Sequence, residues 1–522
     1  MLRLRDVKLP PAAGRDELLK KCAQMLGVKP GSIAYLRIQR RALDARRKND
    51  IHYNYTLLVC LSGGEEKALL RCDKCESFEE KPYSPPVCAP RSGRPVVIGF
   101  GPAGMFASLA LAEAGLRPIV LERGECVERR REKVEGFWRG GPLDPESNVQ
   151  FGEGGAGTFS DGKLNTGTHD VRIGWVLSRL HGFGAPESIT YDARPHVGTD
   201  VLFRVVRELR QRVLELGGEV RFSHRLDGLV LENGALSGLA VSSPEGRYEL
   251  ACRDAVLAVG HSARDTFEML HSAGVPMEPK GFSMGVRIEH PQELIDRAQY
   301  GRPRGKLPAA EYRLNCKLED GGSAYTFCMC PGGYVVAAAS EPGRVATNGM
   351  SYSGRGGENA NSALLVTLRP EDFPCPGVLG GMSWQREIEE RAFVLGGGDY
   401  RAPAQTVGDF LGTGGKGGVS PTYRPGVRFC DLHGLFPEKI SATLERAIPE
   451  LGKKLRGFDA PEAVLTGPET RSSSPVRILR GADRASVGVA GLYPCGEGAG
   501  YAGGIVSAAV DGLRCAEAVI GK

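Results

Sequence analysis

The chain has 522 residues, of which 41% are hydrophobic and 25% charged, and its formal net charge is +5. This balance excludes a disordered or fibrous chain, and the length is too great for a single hydrophobic core. No stretch approaches the roughly 20 apolar residues that cross a membrane, and the start lacks the apolar run of a secretory signal. We therefore expect two or three domains in a cytoplasmic protein.

Residues 1–85 have the pattern of a small domain. Residues 3–8, 33–38 and 52–60 alternate as strands do, and residues 15–26 have the apolar spacing of a helix. Together these segments predict a small α+β domain.

This domain is also the basic part of the chain. Residues 1–50 contain thirteen Lys or Arg and five Asp or Glu. Basic residues with aromatic neighbours suit single-stranded nucleic acid, whereas charge runs are more often plain solvated faces. Both interpretations stay open for one set of residues: Tyr35, Arg37, Arg40, Arg41, Arg46, Arg47, Lys48, Tyr53 and Tyr55.

The segment from 92 to 265 has a different pattern. It follows a linker rich in Pro, Ser and Gly at residues 81–95. An apolar strand, an apolar helix and a second strand that ends at Glu122 form a βαβ unit. A further helix at 200–215 and a buried strand that ends at Gly260 continue the pattern, which predicts a parallel, Rossmann-type sheet.

Residues 266–460 lack this regularity and are predicted to form an inserted α+β substrate domain. Residues 461–522 return to the parallel-sheet pattern of residues 92–265, with a strand, a glycine-rich turn and a long helix of small residues. The predicted fold class is therefore α/β, with a parallel-sheet domain interrupted by the insertion and preceded by the small domain.

A glycine motif lies between the first strand and helix of the βαβ unit. Gly99-Phe100-Gly101-Pro102-Ala103-Gly104 is a GxGxxG, and Glu122 follows at the end of the next strand. Gly99 permits the tight turn, Gly101 lets the backbone approach a pyrophosphate, and Gly104 lets helix and strand pack closely. Glu122 is expected to bind the adenosine ribose, and its charge disfavours a 2′-phosphate. These residues, with Pro102, Ala103 and Arg123 beside them, predict a dinucleotide site; the alternative is an empty crevice in the same fold.

The C-terminal segment distinguishes FAD from NAD. An FAD needs partners for its ribityl chain and isoalloxazine ring, which an NAD site does not provide. Gly496 and Glu497 follow a strand, and Gly503-Gly504-Ile505 opens a helix. A helix N-terminus at the flavin would stabilise the negative charge of its reduced form.

Several segments resemble one bacterial family, the uncharacterised FAD-dependent dehydrogenases or NAD(P)/FAD-dependent oxidoreductases. The resemblance runs over nearly the whole chain and is carried by VVIGFGPAGMFASLALAEAG, NVQFGEGGAGTFSDGKLNT, ARPHVGTDVL, FCMCPGGYVV, TNGMSYSGR, ETRSSSPVRI and CGEGAGYAGGIVSAAVDG. It implies a glutathione-reductase-like FAD domain with an inserted substrate domain. It also implies that Leu226 touches the adenine and that Gly260 lies near the ADP. The loop over the pyrophosphate and flavin would be Gly154, Gly155, Ala156, Gly157 and Thr158.

The chain departs from glutathione reductase in two respects. It has no CxxxxC, and no strand between residues 266 and 460 leads into a second GxGxxG. A nicotinamide cofactor, if one reduces the flavin, would bind transiently in the substrate cleft.

The predicted function is an FAD-dependent oxidoreductase that transfers hydride or electrons through flavin N5 to or from a small molecule. The alternatives are an RNA-modifying or RNA-binding flavoprotein and a non-catalytic electron-transfer or redox-sensing protein.

Candidate catalytic residues come from four segments. In Cys328-Met329-Cys330, strand alternation would point both thiols to one face, where they could react with a flavin; the alternative is two buried strand residues. His196, His261 and Arg287 could move a proton or bind an anion at the cleft, or serve only as structural hydrogen-bonding groups.

No metal site is expected. Cys72-Asp73-Lys74-Cys75 is a CxxC, but a structural zinc site needs a second such pair or two histidines at suitable spacing. The fourteen cysteines show no disulfide-like pattern, so we expect reduced thiols.

Overall fold

A computed structural model of the chain describes residues 1–89, 93–415 and 418–522. Its N-terminal domain is a split βαβ fold, with the antiparallel sheet order β2-β3-β1-β4. Leu4, Leu57 and Val59 of the sheet pack against Leu18 and Leu26 of the first helix. The elements are β1 (Leu2–Leu9), α1 (Arg15–Leu26), β2 (Ile33–Asp44), β3 (His52–Leu61), α2 (Glu65–Arg71) and β4 (Cys75–Ser77).

The second domain is built on a five-stranded parallel sheet and a three-stranded antiparallel sheet. Its first part consists of β5 (Val96–Ile98), α3 (Pro102–Glu113), β6 (Ile119–Glu122), α4 (Val127–Trp138), α5 (Arg172–Gly182), α6 (Thr199–Glu215), β7 (Glu219–Phe222), β8 (Arg225–Glu232), β9 (Ala235–Ser243), β10 (Gly246–Ala251), β11 (Ala255–Leu257), α7 (Arg264–Ser272) and β12 (Met277–Pro279).

The third domain is a seven-stranded sheet flanked by helices. Its elements are β13 (Phe282–Pro291), α8 (Gln292–Tyr300), β14 (Asn315–Lys317), β15 (Ser323–Cys330), β16 (Tyr334–Ala337), β17 (Thr347–Met350), β18 (Asn359–Leu368), α9 (Gly380–Gly396), β19 (Ala402–Thr406), α10 (Val407–Phe410), β20 (Val427–Phe429), α11 (Glu438–Lys454) and β21 (Val464–Glu469). The strand order is β14-β15-β18-β13-β21-β19-β20. The chain then completes the second domain with β22 (Val476–Ile478), β23 (Leu492–Pro494) and α12 (Ile505–Ile520).

The parallel sheet has the order β23-β11-β5-β6-β7. The chain adds β6 and β7 on one side of β5 and later adds β11 and β23 on the other side, so the strand order reverses at β5. Helices α3 and α12 pack closely beside it, and a Cβ on Gly512 would lie 2.1 Å from the carbonyl oxygen of Ala103. Ten of the twelve residues of α3 are buried, which explains why this helix is apolar on every side. Both helix N-termini are thereby held at the carboxyl edge of the sheet.

The insertion begins and ends at other residues than the expected 266 and 460. Helix α7 packs with the second domain, because Phe267 and Leu270 contact the cluster that contains Val96 and Leu257. Strand β21 pairs with β13 and belongs to the third domain. The two connecting strands β12 and β22 pair antiparallel with each other, so the seven-stranded sheet extends from Phe282 to Glu469.

Within the described ranges, each helix is too short or too polar to pass through a lipid bilayer.

Candidate active site

A cavity of about 690 Å³ lies between the second and third domains. Its wall includes Glu122 and Leu226 beside the parallel sheet, and Cys328 and Thr347 from the seven-stranded sheet. Open parallel sheets bind ligands at the carboxyl ends of their strands where the strand order reverses, and the size is typical of a ligand pocket. The cavity can therefore hold a nucleotide and a substrate next to each other.

The glycine motif forms the floor of this cavity beside β5. Gly99 has φ +92°, and a Cβ there would lie 2.5 Å from the carbonyl oxygen of Ala258. A Cβ on Gly104 would lie 1.9 Å from the carbonyl oxygen of Gly99, so helix and turn are in direct contact. Gly101 begins α3 and faces the cavity, and no side chain caps the helix there. The free amides of the first turn are available to an anion.

Glu122 holds three loops together at the end of β6. It is 4% exposed, and its carboxylate accepts hydrogen bonds from the backbone amides of Phe100 at 2.7 Å, Gly124 at 2.9 Å and Gly152 at 3.0 Å. It also lines the cavity, so the lone pairs that remain can accept from a ligand hydroxyl. Its structural role adds to the ribose contact expected from the sequence.

The loop that follows is shaped by Arg130, which sequence analysis missed. This arginine is fully buried, and its guanidinium donates to five main-chain carbonyls within residues 148–155, including Asn148 at 2.8 Å and Gly155 at 3.0 Å. Burial lowers its pKa to about 10, which leaves it charged at neutral pH. The loop carries Gly155, Ala156 and Gly157 into the cavity wall.

The N-terminus of α12 also faces the cavity. Gly503, Gly504 and Ile505 line the wall, and no side chain caps this helix. Burial raises the pKa of the nearby Glu497 to about 7, with a further contribution from charge on Cys328. His261 lies with Nδ1 3.6 Å from Glu497 Oε1, and burial and then Arg471 lower the pKa of His261 to about 4. Of these two neighbours, Glu497 is the one whose pKa lies near neutral.

The predicted cofactor residues fall into two sets. Four of them lie behind the cavity wall and support it: Gly104, Gly154, Thr158 and Gly496. The other fifteen line the cavity: Gly99, Gly101, Pro102, Ala103, Glu122, Arg123, Gly155, Ala156, Gly157, Leu226, Gly260, Glu497, Gly503, Gly504 and Ile505.

The candidate catalytic residues are less uniformly placed. Cys328 and His261 line the cavity, whereas Cys330, His196 and Arg287 do not. Arg287 is fully buried and cannot bind a substrate anion, because all five of its N–H donors are used. Its partners are Glu469, Asn361, Asn348 and the carbonyl of Cys328. His196 lies behind the wall near Lys163 and Arg355, and burial lowers its pKa to about 4.

The strand that carries Cys328 differs from the alternation expected for it. Cys328 has φ +43°, and the register of β15 against β18 shifts between Phe327 and Cys330. Such a bulge rotates one residue away from the ladder. Cys328 therefore lines the cavity, while Cys330 is completely buried behind it.

Lys163, which lines the cavity, is a second residue that the sequence did not reveal. Its ammonium donates to Asp161 at 2.7 Å and to the main-chain carbonyl of Met329. Asp161 is in turn held by Arg355 at 2.6 Å and by Ser351. The quoted stretch NVQFGEGGAGTFSDGKLNT contains Lys163, but nothing in its spacing distinguishes this lysine from a surface one.

Comparison with known proteins agrees with a flavin site. Residues 281–472 match a family described as FAD-dependent protein, C-terminal domain-like, and residues 1–60 match a domain of unknown function, DUF8436. The matched domain and the cleft place the chain among FAD-dependent proteins. A protein of Clostridium beijerinckii called uncharacterised is 48% identical over 537 residues, which cover 100% of this chain and 99% of that protein. The chain belongs to the same family of FAD-dependent proteins.

Solved structures show only distant likeness. A geranylgeranyl bacteriochlorophyll reductase-like protein of Thermoplasma acidophilum is 12% identical over 82% of this chain and 78% of its own, with a TM-score of 0.35. The FrdA protein of Escherichia coli quinol fumarate reductase is 13% identical over 83% of this chain and 70% of its own, with a TM-score of 0.36. At these scores neither activity is transferred to this chain.

Proposed function

We propose that the cleft holds one FAD and that a hydride or electron pair passes through flavin N5 to or from a small-molecule substrate. One observation carries the proposal: the uncapped N-termini of α3 and α12 open into the same cavity. A dinucleotide that carries a pyrophosphate and a redox ring needs positive potential at both places. The N-terminus of α3 would hold the pyrophosphate, and that of α12 would stabilise charge on the reduced ring.

The donor set also fits the remaining parts of an FAD. Glu122 can accept from the adenosine ribose, and Glu497 can accept from the ribityl chain or exchange a proton near pH 7. When bound, the flavin supplies a two-electron carrier that no side chain provides. The third domain closes the cavity on the side of Cys328 and Thr347, where a substrate would lie.

We propose that NADH or NADPH reduces the flavin by transient binding in this cleft. No β-strand of the third domain leads into a dinucleotide motif among the described residues. Gly412, Gly414 and Gly417 repeat the GxGxxG spacing, but they follow helix α10, and the segment 416–417 lies outside those residues. A second permanent dinucleotide site has no support here.

The basic N-terminal domain gives the RNA-related alternative little support. On one face of its sheet, Arg3 and Arg5 pair with Glu76, and Arg37 pairs with Glu80 at 2.6 Å. Phosphate binding would have to displace these carboxylates. A small molecule therefore remains the proposed partner of the protein.

The test is the visible spectrum of the purified protein, followed by heat release and chromatography of the bound cofactor. We expect a yellow protein with one FAD per chain and anaerobic bleaching by NADH or NADPH. A protein that stays colourless after incubation with excess FAD would overturn the proposal. A yellow protein that neither nicotinamide nor a panel of metabolites bleaches would instead favour the non-catalytic alternative.

A further inference from the structure

Two cysteines meet where the third domain contacts the cavity. The bulge in β15 turns Cys328 into the cavity wall, and Cys330 lies directly behind it with Sγ 3.2 Å from the carbonyl oxygen of Cys328. Cys330 has no solvent exposure. Cys328 therefore lines the ligand space, and the thiol of Cys330 lies behind it, next to the main chain of Cys328.

The peptide between these cysteines is held by two cations, the buried Arg287 and the partly exposed Lys163. Arg287 donates to the carbonyl of Cys328 at 2.9 Å, and the ammonium of Lys163 donates to the carbonyl of Met329. Glu469 and Asp161 fix the two cations from behind, at 2.7 Å each. The charges of Arg287 and Lys163 favour the thiolate form of Cys328, while that of Cys330 is disfavoured.

The acidity of Cys328 agrees with this geometry. Hydrogen bonding from the Cys330 thiol, and then Arg287 and Lys163, lower the pKa of Cys328 below its ordinary value although burial opposes the change. Buried cysteines elsewhere in the described chain show the opposite shift: burial raises the pKa of both Cys22 and Cys252 to about 12. Burial alone therefore does not explain Cys328.

We propose that Cys328 and Cys330 are a redox-active dithiol–disulfide pair that exchanges two electrons with the flavin. This inference rests on the proposed FAD site. In the oxidative direction the two thiols lose two electrons and two protons as the S–S bond forms. The two electrons and one of the protons would pass to the bound FAD, and the other proton would leave to a base in the cavity. Reversal of the same steps reduces the disulfide.

Glu497 is the group in the cavity wall suited to that second proton. Burial places its pKa at about 7, and its charge state responds to charge on Cys328. His261 is beside it, but burial lowers its pKa to about 4, so it stays a neutral imidazole at neutral pH. A proton released from the pair would be taken up by Glu497, which lines the same cavity as Cys328.

The first experiment counts electrons. Holoprotein is oxidised with ferricyanide, desalted and titrated anaerobically with dithionite while the flavin absorbance is followed. We expect four electrons per flavin in the wild type and two in Cys328→Ser and Cys330→Ala. Cys375→Ser is the matched control, because it changes a cysteine outside the cavity and should still take up four. Two electrons per flavin in the wild type would overturn the inference.

The second experiment does not depend on flavin colour. The protein is equilibrated in dithiothreitol buffers of stepped potential, alkylated in denaturant and mapped by mass spectrometry. The peptide that contains both cysteines should switch between a doubly alkylated form and one internal disulfide, and Cys328→Ser should leave Cys330 alkylated throughout. Free thiols at every potential in a yellow protein would refute the pair and leave the FAD assignment intact. A colourless protein would refute the FAD assignment first.

Discussion

The carboxylate of Glu122 accepts a hydrogen bond of 2.7 Å from the backbone amide of Phe100. The acid at the end of β6 thus fixes the glycine turn at the end of β5, and its other oxygen fixes Gly124 and Gly152. The two sequence signals of a dinucleotide site, the glycines and the distant acid, are therefore one hydrogen-bonded unit. Loss of the acid should disturb both the ligand contact and the loop geometry.

Replacement of Glu122 by Ala should weaken FAD binding by about 1.5–3 kcal/mol, the usual contribution of hydrogen bonds to a charged group. The FAD affinity of Glu122→Gln should lie between those of the wild type and Glu122→Ala. The glutamine oxygen can still accept a hydrogen bond from one loop, but the glutamine NH₂ group cannot accept one from another. Titration of the apoproteins with FAD by isothermal calorimetry measures the difference. Glu232→Ala, at an exposed position, is the control. Unchanged affinity in Glu122→Ala would contradict the role given to this carboxylate.

Gly101→Val should give a folded protein without bound flavin. A Cβ at this position would lie 3.6 Å from the Cα and 4.0 Å from the backbone nitrogen of Gly155, which are ordinary contacts, so the backbone tolerates it. The branched side chain then extends into the cavity where a pyrophosphate would approach. Circular dichroism and the visible spectrum of the purified variant test both statements. Gly136→Val lies on α4, where a Cβ meets nothing within 4 Å, and it should stay yellow.

Much of the cleft follows from local patterns that the sequence displays directly. A strand that leads into GxGxxG and a second strand that ends in an acid specify Gly99, Gly101 and Glu122 through backbone geometry. The same holds for Gly503 and Gly504, which precede a long helix of small residues. In each case the signal and the site lie in one stretch of chain, so periodicity and glycine spacing suffice.

The contacts that connect distant segments could not be found this way. Arg130 is one of several charged residues on α4, and only tertiary packing shows that its guanidinium faces the loop at 148–155. The bulge at Cys328 depends on pairing with β18, which lies about 35 residues further along the chain. For Arg287 both a role at the cleft and a structural role were open, and Glu469, distant in sequence, holds it in the interior in the structural role.

Arg130→Lys should cost on the order of 3 kcal/mol of stability and reduce FAD affinity as well. Lysine has three donors on a single atom, so it cannot reach the five carbonyls that the guanidinium satisfies, and several would be left buried without partners. Thermal unfolding of the apoprotein and FAD titration measure the two effects. Arg131→Lys makes the same change on an exposed neighbour and should stay within about 0.5 kcal/mol of the wild type.

Lys163→Met should raise the pH at which Cys328 becomes reactive. Lys163 is one of the cations that lower the pKa of this thiol, so its loss moves the pKa back toward the ordinary value of 9.0. The rate of iodoacetamide alkylation of Cys328 in the apoprotein, followed by mass spectrometry from pH 5 to 9, gives the midpoint. Lys317→Met changes an exposed lysine on β14 of the same sheet and should leave the midpoint unchanged. Equal midpoints in wild type and Lys163→Met would show that Lys163 does not act on the thiol.

Glu497→Gln should make the stability of the apoprotein less dependent on pH. The pKa of Glu497 is about 7 in the folded protein and 4.5 ordinarily, so below pH 4.5 the group is protonated in both states. As the pH rises toward 7, the unfolded chain releases this proton and the folded protein keeps it, which lowers the free energy of unfolding by at most about 3 kcal/mol. The glutamine variant has no proton to release, so its unfolding temperature relative to wild type should climb between pH 4.5 and 7 and then level off.

Scanning fluorimetry across this range measures the difference, with the exposed Glu319→Gln as a control that should stay parallel to wild type. Parallel curves for Glu497→Gln would mean that this carboxyl is already ionised at neutral pH and cannot take the proton assigned to it.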